Sequence, residues 1–276
     1  MKTLPYKVET SEDGGKSTVH FPGISYLSSG PSGLLTPWAI LQCIEGGQIV
    51  GLTNTVLRRS NMFTIIMSQT FDFNWENIAY AKRDMTFPYT ITLDIVGIGR
   101  TSLQWKQTMV NSMDGSCLAT GLVHMVLMDS ASRRPREIPL EFKKKYCRFV
   151  KQSPFAVINI PEIPAVCVSL PVTVPYSDIG PNSHFNQACF FKHAFNCVRK
   201  ANQIRPFYRF GKDIGERAMK KNFVLFKGES FEGDQLVFSC WQDRNQPQHI
   251  HTVITNNDRV LAYIKMTLDI LEESKL

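Results

Sequence analysis

The chain has 276 residues, 43% of them hydrophobic and 20% charged, which describes a globular protein with one large core or two ordinary ones. No run of about 18 uncharged apolar residues occurs, so no membrane-spanning helix is expected. The formal net charge is +7, but most of the excess sits in one short segment and does not read as a nucleic-acid surface.

The opening MKTLPYKVETSEDGG lacks the apolar core of a secretory signal. A first helix is expected within Tyr26 to Cys43, where an apolar helical pattern follows Gly30-Pro31. Phe63 to Asn74 comes next, then strands marked by Ile91, Leu93 and Ile95 and by Leu103 and Trp105. After the Asp114-Gly115 turn, Cys117, Ala119, Gly121, Val123, Met125 and Leu127 share one strand face. From about Ser130 to Pro171 the chain turns basic and proline-rich. Between Arg133 and Lys151, Arg133, Arg134, Arg136, Lys143, Lys144, Lys145, Arg148 and Lys151 oppose only Glu137 and Glu141. This segment reads either as a solvated linker or as a field that attracts the phosphates of a carrier such as coenzyme A. Its prolines Pro154, Pro161, Pro164, Pro171 and Pro175 exclude a helix from Ser153 to Tyr176.

A second helix is expected over about His184 to Ala201, with Ala188, Phe191, Phe195 and Val198 on one stripe and Cys189, Ala194 and Cys197 beside it. The last strand alternates, Val260, Ala262, Ile264, Met266, Leu268 and Ile270 against Leu261, Tyr263, Lys265, Thr267 and Asp269. The seven cysteines (Cys43, Cys117, Cys147, Cys167, Cys189, Cys197, Cys240) are odd in number and contain no CxxC pair. They read as reduced, mostly buried thiols of an intracellular protein, without a zinc site. His249 and His251 share a strand face, but no third ligand accompanies them, so no metal is expected.

The chain also aligns with itself. Tyr26 to Cys43 matches Tyr176 to His193 without gaps, with Tyr26/Tyr176, Gly30/Gly180 and Pro31/Pro181 coinciding. Phe63 to Asn74 matches Phe223 to Asp234, placing Phe71 on Phe231, Asp72 on Glu232 and Asn74 on Asp234. The expected organisation is an N-terminal repeat over 1–130, a linker over 131–170 and a C-terminal repeat over 171–276. The shared Gly-Pro predicts a turn that needs glycine, with φ > 0.

One helix followed by an antiparallel meander is an α+β layer, and two copies would join into one continuous sheet. In that arrangement the chain resembles the double-hotdog fold of acyl-thioester enzymes. The segment DIGPNSHFNQ, Asp178 to Gln187, is similar to the DLDxNxHxNN signature of plant-type acyl-carrier-protein thioesterases and their 4-hydroxybenzoyl-CoA-thioesterase-like relatives. The resemblance implies catalytic roles for Asn182 and His184, and for Glu229 with Ser230 where the family has a Glu-Cys pair. Gly180 stands where the second Asp of the signature belongs, and Ser230 replaces the Cys. Asp178 keeps the first Asp, whose ordinary role is structural and which could compensate for the missing carboxylate. The first repeat carries Ser32, Leu34, Thr36 and Gln69 at the positions of Asn182, His184, Asn186 and Glu229, so its site is degenerate.

These residues define the expected chemistry. Glu229, on a strand, would be the base for water, and His184 would polarise the thioester carbonyl. Asn182 would orient water or substrate at the helix start, where backbone N–H groups favour negative charge. Each has a structural alternative: Asn182 as a helix cap, His184 as a structural histidine, Glu229 as an exposed strand residue. Gly180, Asn186, Ser230, Arg133 and Arg134 are the expected substrate contacts. The final Ser274-Lys275-Leu276 spells a peroxisomal address, which implies an import receptor as partner and tilts the substrate towards acyl-CoA. The expected activity is a peroxisomal acyl-CoA thioesterase without cofactor, acting as a monomer or homodimer. A non-catalytic acyl-CoA binding protein and a hotdog enoyl-CoA hydratase are the alternatives. The hydratase pattern D-x-N-P-x-H is spaced differently from Asp178, Asn182 and His184.

Overall fold

Two units follow one another along the chain, Met1–Ala156 and Val157–Leu276. The computed structural model describes residues 6–53, 62–81, 86–147, 158–205, 207–211 and 213–271. The division falls inside the stretch expected as a linker, and that stretch contains ordered elements. Helix α3 (Leu140–Tyr146) buries Phe142 and Tyr146 within it, and a strand begins at Val168 rather than after Pro171. Arg148 and Lys151 lie outside the described residues.

In unit 1, strands β1 (Lys7–Thr10) and β2 (Lys16–Phe21) precede helix α1 (Pro37–Thr53). Strand β3 (Met62–Phe73), the short helix α2 (Trp75–Ala81) and a meander of β4 (Tyr89–Ile98), β5 (Ser102–Asn111) and β6 (Cys117–Asp129) follow. Pairing runs β1-β2-β4-β5-β6-β3, all antiparallel. Unit 2 repeats the plan. Strand β7 (Val168–Thr173), helix α4 (Gln187–Ile204), strand β8 (Met219–Phe226) and a meander of β9 (Gln235–Gln242), β10 (His249–Asn256) and β11 (Arg259–Leu268) pair in the order β7-β9-β10-β11-β8. Matching β2 with β7, β3 with β8 and β4 to β6 with β9 to β11 makes the two strand orders identical, β1 being the addition of unit 1.

The repeat extends to single hydrogen bonds. In unit 1, Gly30 N–H donates to Leu34 O, Gly33 N–H to Gly30 O and Thr36 N–H to Ser28 O. In unit 2, Gly180 N–H donates to His184 O, Ser183 N–H to Gly180 O and Asn186 N–H to Asp178 O. Bridges Ser29–Leu35 and Ile179–Phe185 also coincide. Yet the glycine shared at 30 and 180 is not the left-handed residue of the turn, contrary to expectation. Positive φ falls three residues later, at Gly33 (φ 74) and Ser183 (φ 61). A Cβ at Gly180 would meet Asn186 Nδ2 at 3.5 Å and His184 O at 3.7 Å, which is ordinary contact.

Alternation dictates the strands. On β4, Ile91, Leu93 and Ile95 are buried, and on β5 Leu103, Trp105 and Met109. Close approach explains two glycines of α1: a Cβ at Gly47 would lie 2.6 Å from Ile91 Cβ, and one at Gly51 2.4 Å from Leu93 Cδ1. Helix α4 buries Ala188, Cys189, Phe191, Ala194, Phe195, Cys197 and Val198, the stripe expected from spacing. Each large apolar chain so enclosed contributes about 1.5–3 kcal/mol. Pro171 sits within β7, which pairs only with β9 and is an edge where a missing N–H is tolerated. The expected helix start at His184 is displaced to Gln187, because Asn186 caps the helix: its Oδ1 accepts from Ala188 N–H at 2.8 Å.

Candidate active site

The site residues of unit 2 lie on two neighbouring loops. The first is the turn from Ile179 to Asn186, closed by the Ile179–Phe185 bridge just ahead of α4. The second, residues 227–234, follows β8, so Glu229 belongs to a loop and not to a strand as expected. Phe185 N–H donates to Ser230 O at 2.7 Å and ties the loops together. The second loop is shaped by Asp234, whose Oδ2 accepts from Ser230 Oγ at 2.8 Å and from Phe231 N–H at 2.9 Å. Gly233 N–H to Val174 O and Val174 N–H to Asp234 O then anchor it to the end of β7.

Across this junction His184 Nε2 faces Glu229 Oε1 at 3.9 Å, with about a third of each side chain open to solvent. The Phe231 ring packs against the His184 ring at 5.2 Å and shields one side of it. His184 Nδ1 is buried and has no hydrogen-bond partner among the described residues. An imidazole beside a carboxylate, partly open to solvent, is an arrangement that can serve general-base activation of water. Open structures commonly hold such pairs slightly beyond hydrogen-bond distance.

The other expected residues take different places. Asn182 is exposed at the tip of the turn, five residues ahead of the helix it was expected to begin. Asn186 holds the helix cap, so its amide oxygen is committed to the α4 backbone. Ser230 is buried and bonded to Asp234. Gly180 starts the turn, with the room a side chain would need. Arg133 and Arg134 belong to unit 1, in the turn that closes back on β6 at Asp129, with Arg133 over the Phe63 ring at 5.7 Å.

Asp178 does not compensate for the missing catalytic carboxylate. Its side chain is buried, its Oδ1 accepts from Lys192 Nζ at 2.6 Å, and its Oδ2 lies 2.6 Å from His193 Nε2. Burial pushes its pKa up, but the Lys192 ammonium and His193 outweigh that and hold it below the usual carboxylate range. Both oxygens are engaged by side chains of α4, so Asp178 fastens the 3-10 turn Tyr176–Asp178 to the helix and thereby positions the loop after it. The unit 1 counterparts Ser28, Gln42 and Cys43 cannot form such a cluster.

Sequence reasoning missed Lys192, His193, Phe231 and Asp234. A Lys-His pair about two helical turns beyond a cap, facing an Asp ahead of that cap, was the available signal for the first two. His251 is likewise occupied, with Nδ1 2.7 Å from Tyr263 Oη, Nε2 3.1 Å from Asp243 Oδ2, and its ring stacked on Trp241. Burial is the main cause that lowers the His251 pKa, and it pushes the Tyr263 hydroxyl up to about 12. No group of three or more metal-ligating side chains occurs among the described residues.

Two consecutive copies of one long helix and a five-stranded antiparallel sheet, with a closed turn ahead of the helix, decide the architecture. The fold is the double hotdog. Solved structures share it across nearly the whole chain. An acyl-ACP thioesterase from Bacteroides thetaiotaomicron aligns with TM-score 0.70 at 14% identity, covering 94% of this chain and 100% of the other. A protein described as an oleoyl thioesterase from Lactobacillus plantarum gives 0.71 at 16%, with 94% and 97% covered. The 12:0-ACP thioesterase from Umbellularia californica gives 0.70 at 10%, with 93% and 98% covered. No protein-family model matches the sequence, and no curated protein matches it. Identities this low carry the double-hotdog fold and leave the chemistry to be argued from the site.

Proposed function

We propose that the chain is an acyl-CoA thioesterase that hydrolyses its substrate to a free acid and coenzyme A at the His184–Glu229 junction. The observation that carries this reading is the 3.9 Å imidazole–carboxylate pair between the two loops of unit 2, where unit 1 has Leu34 at the position of His184. Glu229 accepts a proton from water as the water oxygen bonds to the thioester carbon. His184 polarises the carbonyl and stabilises the developing oxyanion. Collapse of the tetrahedral adduct breaks the C–S bond, and the proton held by Glu229 passes to the leaving sulfur. Asp178, Lys192 and His193 fix the loop that presents His184, and Phe231 holds its ring. Arg133, Arg134 and their basic neighbours favour a phosphate-bearing carrier. Ser274-Lys275-Leu276, outside the described residues, supports a peroxisomal address and therefore a CoA ester wherever it forms the free C-terminus.

Thiol release measured across acyl-CoA chain lengths tests the reading, with acyl-CoA binding followed in parallel. Glu229→Gln and His184→Ala should each lower turnover by roughly 10²–10⁴ while binding persists. Wild-type turnover in both variants removes the site assignment. Tight binding without any thiol release assigns the chain to acyl-CoA binding instead.

A further inference from the structure

The inner face of the unit 2 sheet can be read row by row, because directly opposed residues of antiparallel strands project to the same side. Phe238, Ile254, Ala262 and Phe226 form the first row; Cys240, Thr252, Ile264 and Val224 the second; Gln242, Ile250, Met266 and Asn222 the third. Helix α4 identifies this face as the inner one. The Phe190 ring meets Phe226 edge-on at 5.7 Å, and Cys197 Sγ reaches Phe238 O at 3.1 Å and Cys240 Sγ at 3.4 Å. The first row lies at the site end, since β8 passes from Phe226 directly into the loop that carries Glu229.

The third row ends on a chemical anomaly. Asn222 is 0% exposed, and neither its Nδ2 nor its Oδ1 has a hydrogen-bond partner among the described residues. A buried amide with both functions unmet forfeits its hydration without compensation, and native interiors seldom contain one unexplained. Its row neighbours Met266 and Ile250 are apolar, and the Gln242 amide is committed to the backbone of Tyr208 and Pro247. Thr252 Oγ1 in the second row is likewise buried and unpartnered.

Resting on the thioesterase reading, we propose that this face guides the acyl chain inward from the thioester and that Asn222 recognises a hydroxyl on it. The distance sets the position. Phe226 to Asn222 is four strand residues, about 13 Å. An extended chain advances about 1.2 Å per bond, so the hydroxyl lies about ten or more carbons from the reacting carbonyl. The chemistry sets the group. An amide with an unmet donor and an unmet acceptor is satisfied by a hydroxyl, which both accepts and donates. A terminal carboxylate only accepts, and its charge would enter a row that holds no cation.

The test compares dodecanoyl-, tetradecanoyl- and hexadecanoyl-CoA with their ω-hydroxy and ω-carboxy counterparts on the full chain. The wild type should favour at least one ω-hydroxy ester over its plain partner by about tenfold or more in kcat/KM. It should disfavour the ω-carboxy ester. Asn222→Leu should abolish that preference and raise the melting temperature. Equal kcat/KM for plain and hydroxylated esters in the wild type overturns the proposal, as does an Asn222→Leu variant that changes stability alone. That last result would leave the amide a structural residue. Calorimetric titration with the free plain and ω-hydroxy acids reads the same recognition without hydrolysis, and equal affinities overturn it. No turnover of any ester, with the hydroxy acid still preferred, removes the thioesterase reading alone.

Discussion

Replacing Asp178 by Asn tests whether the loop ahead of α4 is held by charge. The carboxylate is 7% exposed and has two partners at 2.6 Å, the Lys192 ammonium at 28% and the His193 ring at 16% exposure. Breaking a buried ion pair on one side costs about 3–5 kcal/mol, because the remaining charge is left uncompensated. Here Lys192 keeps part of its hydration and an Asn oxygen can still accept one bond, so about 2–3 kcal/mol is expected. For a chain of this size that amounts to a melting temperature lower by roughly 4–12 °C. The pH dependence follows from the depressed pKa of Asp178. Its contribution is fully present above the unfolded carboxylate value of about 3.9 and is lost as pH falls through the lower folded value. Wild type and variant should therefore differ at pH 7 and converge below about pH 4. Thermal unfolding across that range measures the gap. A difference under about 0.5 kcal/mol at pH 7, or one unchanged at pH 3, refutes the clamp.

Gly180→Asp should fold with a stability change within about 0.5 kcal/mol, since the position has ordinary contact distances and no positive φ. A loss of several kcal/mol on chemical denaturation would contradict this. Ser183→Gly should stabilise by up to about 1 kcal/mol, because Ser183 occupies φ 61 where its repeat counterpart Gly33 is glycine; unchanged or reduced stability argues against strain there. Where Ser274-Lys275-Leu276 forms the free C-terminus, the proposed address predicts that removing it leaves turnover intact and stops peroxisomal import, and continued import of the shortened chain counts against the address.

Duplication was legible in the sequence because the same turn and helix pattern recurs at a fixed offset of residue positions, and each repeat must bury the same apolar stripe. The alternation of β4, β5 and β11 and the α4 stripe followed for the same reason: period 2 and period 3.6 are properties of the backbone. The edge strand β7, with Pro171 inside it, was hidden because a single-sided ladder relaxes the rules that define a strand. Site details depended on the third dimension. His184 and Glu229 were legible as candidates through their resemblance to a motif, but whether they meet depends on the Phe185–Ser230 hydrogen bond between two loops. Asp178 looked like a spare catalytic carboxylate, and only the fold shows Lys192 and His193 occupying both its oxygens. Local propensity pointed to a cap and a left-handed residue in this turn but put them at Asn182 and at Gly30 and Gly180, where the fold has Asn186 and Gly33 with Ser183. Which polar groups end up paired, and which, like Asn222, are enclosed without a partner, is decided by packing between distant segments.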